Sequence, residues 1–209
     1  MQSYRDVLFT PEIEAEQRKA GSLDANVSRY DRLRPSKLGP DEVAFLAARD
    51  SVYMSSVTSA GWPYLQHRGG PAGFIRQLDG RTIGFADYRG NRQYVSKANI
   101  GTNDRVALFA MDYPRKARLK LLGHATVTDA ADTPDMAAKL AVEGEGRVER
   151  CITVRIAAFD WNCPQFITQR FTTVEIAALV GTELERLETD NAALSAEVAA
   201  LKDQLAAKQ

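Results

Sequence analysis

The fold is decided by residues 74–95, which read FIRQLDGRTIGFADYRGNRQYV. Within them, residues 74–78 and 81–86 are rich in apolar and β-branched side chains, as strands are. Asp79-Gly80 joins these two runs, and Asp-Gly is typical of a two-residue hairpin turn in which both residues take positive φ. Residues 89–95 then form a glycine turn that leads into a short helix. A hairpin followed by a polar, arginine-bearing turn is therefore the central prediction.

Further strands are predicted on both sides of this hairpin, at residues 52–58, 64–68, 104–111, 118–128 and 148–159. Short helices are predicted at residues 11–19, from residue 40 and at residues 134–141, because each follows a capping residue and begins with proline. Most strands are joined by hairpins, and the βαβ alternation of a parallel sheet is absent. The sequence therefore predicts a mainly β chain with short helices, built as a closed or nearly closed antiparallel barrel.

The C-terminal residues have a different periodicity. Apolar side chains and one asparagine recur at alternating steps of three and four: Leu184, Leu187, Asn191, Leu194, Val198, Leu201 and Leu205. This is a heptad seam with Leu at d, and a single Asn at a typically fixes the register of a two-stranded coiled coil. The flanking charges are mixed, since Glu197 and Lys202 would attract across a parallel dimer whereas Glu183 and Glu188 would repel. The alternatives are a zipper between molecules and an amphipathic helix that lies on its own barrel.

Composition disfavours several classes of protein. The chain has 209 residues, with 27 basic and 27 acidic side chains and a formal net charge of zero. A balanced charge argues against nucleic acid and the membrane surface as partners, because such surfaces are usually basic. No apolar run reaches the roughly 18–20 residues of a membrane span, and the first residues do not read as a signal peptide. A cytoplasmic protein with reduced thiols is expected, and no metal site is expected from two Cys and two His.

Three segments carry groups that suit a bound cofactor. Arg68-Gly69-Gly70 ends a strand, and its glycines allow a flat ligand to approach the backbone closely. Residues 90–93 (Gly-Asn-Arg-Gln) turn into a helix start, where backbone N–H groups and an arginine suit a phosphate. Residues 161–165 (Trp-Asn-Cys-Pro-Gln) combine an aromatic ring with amides that can bind the edge of a heterocycle. The structural alternatives are a solvated turn and a tryptophan that plugs the end of the barrel.

Taken together, these motifs resemble the pyridoxamine 5′-phosphate oxidase-like family of FMN-binding split β-barrels, in its predicted flavin-nucleotide-binding branch. The resemblance rests on residues 68–71, 79–81, 84–87, 90–93, 104–109 and 161–165, and it covers about residues 25–175. It implies an FMN-binding split β-barrel at 25–175, and the helix and heptad patterns add an N-terminal helical arm at 1–24 and a C-terminal coiled-coil helix at 176–209.

The resemblance also implies a homodimer with FMN at the subunit interface. By that correspondence the cofactor-binding residues are Arg68, Gly69, Gly70, Ala86, Asp87, Asn91, Arg92, Gln93, Arg118, Trp161, Asn162, Cys163, Pro164 and Gln165. Arg68 and Arg92 correspond to phosphate ligands, and the Trp161 segment corresponds to one that covers the flavin bound mainly by the partner subunit. No catalytic residue is assigned, and Cys163 and Asp87 are the only acid–base candidates.

The chain departs from the true oxidases in one respect that bears on its substrate. The lysine with which those enzymes bind the substrate phosphate is absent from residues 69–73, so the resemblance argues against oxidation of pyridoxamine phosphate. It implies instead an FMN-dependent oxidoreductase for an unidentified small molecule, with NAD(P)H as a possible electron donor. The alternatives are a non-enzymatic flavin binder or redox sensor, a deazaflavin binder, and a haem binder that uses His67 or His124.

Overall fold

We describe a computed structural model of the chain, in which residues 1–32, 35, 37–144, 146–161 and 164–206 are described. The chain divides into two compact units, Met1–Ile167 and Thr168–Gln209. The helices of the first unit are α1 (Tyr4–Leu8), α2 (Pro11–Lys19), α3 (Leu23–Arg32), α4 (Pro40–Ala47), α5 (Val95–Thr102) and α6 (Pro134–Leu140). Its strands are β1 (Ser51–Val57), β2 (Pro63–Gly69), β3 (Arg76–Gln77), β4 (Thr82–Tyr88), β5 (Arg105–Asp112), β6 (Ala117–Asp129) and β7 (Val148–Trp161).

The seven strands form one antiparallel sheet in the order β2-β1-β5-β6-β7-β4-β3. Although β2 and β4 are not neighbours in this order, Arg68 on β2 and Asp87 on β4 form an ion pair of 2.7 Å. The sheet must therefore curl until its ends approach each other, which is the geometry of a barrel. The predicted mainly β, antiparallel barrel with short helices is confirmed.

The core lies inside this curl and follows the two-residue period of the strands. On β5, for example, Val106, Leu108 and Ala110 are buried, while the side chains between them are more exposed. One position where β6 pairs with β7 admits only glycine, because a Cβ on Gly123 would lie 2.7 Å from the carbonyl oxygen of Arg155. The strand register shifts between Leu122 and Gly123. Gly123 therefore lets β6 and β7, the two longest strands, stay closely paired at this irregularity.

The Asp79-Gly80 hairpin differs from the prediction. Neither residue takes a positive φ, so the two-residue turn is wrong. The Asp79 carboxylate instead accepts hydrogen bonds from the backbone N–H groups of Arg81 and Thr82, at 2.7 and 2.8 Å, and organises a longer turn. The first strand of the hairpin is also shorter than predicted, since only Arg76 and Gln77 pair with β4.

Two helices near the N-terminus were not predicted from the sequence. The backbone N–H of Gln2, just before α1, donates to the carbonyl of Ala157 on β7. Tyr4 of α1 stacks on Tyr30 of α3 at 5.9 Å between ring centroids, and both rings pack with Ala158. The N-terminal helices therefore cover the outer face of β7.

The second unit contains a single long helix, α7 (Thr173–Ala206), of 34 residues. Its range includes the whole predicted seam from residue 184 to residue 205. Within the described ranges, no helix has the combination of length and apolar character that a membrane crossing requires.

Candidate cofactor site

A polar cavity of about 300 Å³ opens where β2, β4, the start of β7 and the start of α5 meet. The turn between β4 and α5 forms one of its walls. Its lining is dominated by basic and hydrogen-bonding side chains: Tyr64, Gln66, Arg68, Asp87, Tyr88, Gly90, Asn91, Arg92, Gln93, Tyr94, Val95, Ser96, Lys97 and Arg150.

Asp87 sits between two arginines at the floor of the cavity. Its Oδ1 accepts a hydrogen bond from Arg68 at 2.7 Å, and its Oδ2 accepts one from Nε of Arg150, also at 2.7 Å. Asp87 and Arg150 are direct partners in the β4–β7 register, so the sheet itself sets this pair. Arg150 also pairs with Glu149, at 3.1 Å between Nη1 and Oε2, so Asp87 and Glu149 together balance the charges of Arg68 and Arg150.

Arg150 stays charged despite its burial. Burial lowers the pKa of Arg150, but the hydrogen bond to Asp87 and the charges of Asp87 and Glu149 outweigh this effect, so its pKa lies above the ordinary arginine value. The guanidinium also lies 4.9 Å from the ring centroid of Tyr94, in a cation–π contact. These contacts fix the position of a permanent positive charge in the cavity wall.

Arg68 has a donor that the described residues do not satisfy. Its side chain is only 14% exposed, and its Nε is buried with no hydrogen-bond partner in the described part of the chain. Leaving a buried donor unpaired costs about 1–3 kcal/mol. An acceptor supplied by a bound anion would remove this cost.

The turn between β4 and α5 holds its backbone in an uncommon conformation. Arg92 and Tyr94 both take positive φ, at 61° and 53°. The Asn91 side chain stabilises the turn by accepting the backbone N–H of Gln93 at 3.1 Å. Such strain tends to be retained at ligand sites, and here it places Arg92 in the wall without an ion pair or hydrogen bond to any described residue.

The first turn of α5 adds to the positive potential. Its residues Val95, Ser96 and Lys97 line the cavity, and its first turn carries no acidic side chain. A helix N-terminus favours negative charge, and no carboxylate of the helix supplies it. Four basic side chains and one carboxylate therefore line a space that suits a phosphate dianion.

The structure brings five of the sequence-predicted residues together in this wall, namely Arg68, Asp87, Asn91, Arg92 and Gln93. Gly69, Gly70 and Ala86 adjoin them along β2 and β4 but do not line the cavity in the described part of the chain. A Cβ on Gly70 would lie 2.8 Å from Cβ of Phe74, so packing within the chain accounts for that glycine.

Trp161 lies far from the cavity in the same chain. It ends β7 eleven residues after Arg150, which is about 36 Å measured along a strand. Its indole N–H donates to Oε1 of Glu42 at 2.6 Å, and its ring meets Phe45 edge-on at 4.8 Å.

The other predicted residues also lie outside the cavity wall. Pro164 and Gln165 are exposed, and Asn162 and Cys163 lie outside the described residues. Arg118 stands near the start of β6, opposite Met111.

Arg150, Tyr94 and Lys97 are cavity residues that the sequence reasoning missed. Arg150 and Asp87 are 63 positions apart, so no local motif connects them. A second missed feature is Phe166, directly after the Trp161–Gln165 segment. Its side chain is 94% exposed and its φ is 62°, an unusual combination for a large aromatic residue.

Neither histidine lies in the cavity. His124 pairs with Asp104 at 3.0 Å, and His67 meets the ring of Tyr53 edge-on. Among the described residues, no group of three or more His, Cys, Asp or Glu side chains is arranged to hold a metal ion.

Comparison with known proteins identifies the family. The model of the pyridoxamine 5′-phosphate oxidase family matches residues 38–152, which is more than half of the chain. The chain therefore belongs to the pyridoxamine 5′-phosphate oxidase-like family. The matched range contains Arg68, Asp87, Arg92 and Arg150. No curated protein sequence matches the chain.

Comparison with solved structures gives three further similarities. HupZ from Group A Streptococcus is 15% identical, with a TM-score of 0.50 over 64% of this chain and 100% of its own. An FMN-binding protein from Syntrophomonas wolfei is 11% identical, with a TM-score of 0.42 over 69% of this chain and 97% of its own. A protein described as F420 reductase is 20% identical, with a TM-score of 0.41 over 58% and 98%. The likeness to HupZ shows the fold alone.

Proposed function

We propose that this protein is an FMN-binding homodimeric flavoprotein that acts as a flavin-dependent oxidoreductase on a small molecule. The observation that carries the proposal is the cavity lined by Arg68, Arg92 and Arg150, in which the buried Nε of Arg68 has no acceptor among the described residues. Membership of the pyridoxamine 5′-phosphate oxidase-like family supports a flavin as the ligand.

The residues present fit the phosphate of FMN. The unpaired Nε of Arg68 and the unpaired guanidinium of Arg92 are donors without acceptors among the described residues. Charge-assisted hydrogen bonds from arginine to phosphate are short and strong. Lys97 at the start of α5 adds charge, although its Nζ also contacts Asp129 at 2.9 Å.

The cavity accounts for only part of the cofactor. A volume of about 300 Å³ lies at the lower end of the range for small-molecule pockets, so we place the phosphate and the adjoining chain there. The flavin ring would then extend beyond the cavity. We propose that the Trp161–Gln165 segment of a second copy covers this ring.

Two features of the Trp161 segment support that arrangement. It is about 36 Å along β7 from Arg150, which removes it from its own cavity. Phe166 exposes 94% of its side chain with a left-handed backbone, and backbone strain at an exposed aromatic residue points to a docking role.

When bound, the flavin supplies the electron and hydride chemistry, and the protein contributes position and electrostatics. Asp87 acts as the counter-ion that holds Arg68 and Arg150 in place, since both its oxygens accept arginine hydrogen bonds. That arrangement makes Asp87 unsuited to act as a general base. The absence of a lysine from residues 69–73 leads us to propose a substrate other than pyridoxamine phosphate.

Denaturation of the purified protein, followed by mass analysis of the released chromophore, tests the proposal. We expect FMN at about one molecule per chain. Release of haem or of a deazaflavin would contradict it. Stopped-flow mixing of the flavin-loaded protein with NADH or NADPH then tests turnover, and a flavin that no donor reduces would favour a non-enzymatic binder or sensor.

A further inference from the structure

The long helix α7 carries an apolar seam along one side. None of its residues is buried. The large apolar side chains of the seam are between 48% and 65% exposed: Leu184, Leu187, Leu194, Val198, Leu201 and Leu205. Spacings that alternate between three and four residues are those that a second helix covers in a coiled coil.

We propose that this seam binds the same seam of a second copy of the chain, as a parallel two-stranded coiled coil in which the two Asn191 side chains face each other. This surface is separate from the cofactor cavity, and the inference does not depend on the proposed function.

Asn191 decides both the partner and the orientation. In a parallel pair each a residue faces its own counterpart, so the two amides can exchange donor and acceptor. In an antiparallel pair an a residue faces d residues, which around Asn191 are Leu187 and Leu194. An amide buried against leucine loses its partners at a cost of about 1–3 kcal/mol. The seam is therefore complementary to itself in the parallel orientation.

The charges beside the seam agree with this orientation once the contacts within the helix are included. Glu197 at g and Lys202 at the next e attract each other across a parallel pair. Glu183 and Glu188 would repel in the same way. However, Arg186 donates from Nε and a terminal nitrogen to the Glu183 carboxylate, at 3.0 and 2.7 Å.

The same Arg186 also binds Asp190, the next g residue, at 2.7 Å. Its hydrogen bond holds the pKa of the Glu183 carboxyl below its usual value. Arg186 is at position c, outside the seam, so it can neutralise both g acids without occupying the interface. The repulsion that the sequence alone suggests is thereby offset.

The seam residues also favour two strands over three or four. Leucine occupies d at residues 187, 194 and 201, and β-branched Val198 occupies a. This combination, with one asparagine at a, is associated with parallel dimers.

Cysteine cross-linking of the full-length protein tests the proposal. In a background in which Cys163 is serine, the other native thiol is the buried Cys151. Leu187→Cys places a thiol at d, and Thr189→Cys places the matched control at f on the opposite side of the helix. A disulfide requires Cβ atoms roughly 4 Å apart, so we expect at least about tenfold more disulfide-linked dimer from Leu187→Cys.

A second pair of variants distinguishes seam pairing from mere proximity of two tails. Adding Leu194→Lys to Leu187→Cys should abolish the cross-link, whereas adding Ala193→Lys, at the outer position c, should not. Equal cross-linking at residues 187 and 189, no cross-link at residue 187, or one that survives Leu194→Lys would overturn the proposal. Disulfides between single thiols can join only two chains, so strand number is tested separately: a trimeric mass of the full-length protein in sedimentation equilibrium would overturn the two-stranded assignment.

Discussion

Arg92 gives the cleanest perturbation of the cavity, because it contributes charge without supporting the fold. It lines the cavity and makes no ion pair or hydrogen bond to the described residues. Its φ of 61° costs about the same for arginine and for alanine, since neither side chain bonds locally to its own backbone. The substitution Arg92→Ala should therefore change the free energy of unfolding by less than about 0.5 kcal/mol.

The effect on binding should be much larger. A hydrogen bond to a charged group contributes about 1.5–3 kcal/mol, and each 1.4 kcal/mol corresponds to a factor of about ten in affinity. We therefore expect Arg92→Ala to raise the Kd for FMN about 10- to 150-fold. Arg89→Ala is the matched control, since Arg89 lies in the same turn but does not line the cavity.

Fluorescence titration with FMN and with riboflavin measures this effect and locates it. Riboflavin lacks the phosphate, so Arg92→Ala should leave its Kd unchanged. If the variant weakens FMN and riboflavin equally, or if Arg89→Ala weakens FMN as much, Arg92 does not bind the phosphate and the reasoning fails.

Three further predictions concern contacts that hold the fold. Arg150→Gln should lower the free energy of unfolding by about 3 kcal/mol, and its effect should be non-additive with Asp87→Asn in chemical denaturation, because the two side chains form one buried pair; additive effects would contradict this. Glu42→Ala should cost about 2 kcal/mol, since the indole of Trp161 and the backbone N–H of Gly39 both lose an acceptor. Glu42→Gln keeps one acceptor oxygen and should cost less; equal losses would contradict this. The backbone N–H of Arg81 and the hydroxyl of Thr82 lower the pKa of Asp79 below its ordinary 3.8. The ionised carboxylate therefore stabilises the fold above pH 3.8. This stabilisation is lost as the pH falls through the lower pKa of the folded state. The stability advantage of the wild type over Asp79→Asn should therefore shrink in acid, and a difference independent of pH would contradict this.

The sequence predicted the architecture well where local pattern decides it. The alternation of buried and exposed side chains on β5 and the helix start at Thr10-Pro11 both depend only on residues close in sequence, and the structure confirms them. Helix α3 escaped prediction because its residues are mostly polar, and its one buried side chain, Tyr30, is covered by Tyr4 and β7. Leu23, Val27 and Tyr30 do recur at helical spacing, so the sequence holds a weak signal for α3 that the many polar residues around it obscure.

The cavity was predicted only in part, for a related reason. The turn with Asn91 and Arg92 is a local motif, so the sequence displays it directly. Arg150 reaches the same wall through strand pairing with Asp87, 63 residues earlier. No spacing within one segment can reveal such a contact, and the strand register had to be known first.

At Asp79-Gly80, hydrogen bonds from the aspartate side chain outweigh the preference of the dipeptide for a two-residue turn. The dipeptide is typical of a turn with positive φ, but the aspartate side chain accepts two backbone N–H groups and stabilises a different turn. Both outcomes are consistent with the same residues, and hydrogen-bond geometry decides between them.

A crystal structure of the protein with FMN tests the central claim most directly. We predict a phosphate oxygen within about 3 Å of Nε of Arg68 and another within the same distance of the Arg92 guanidinium. FMN whose phosphate lies outside the cavity between β2, β4 and α5 would contradict the account.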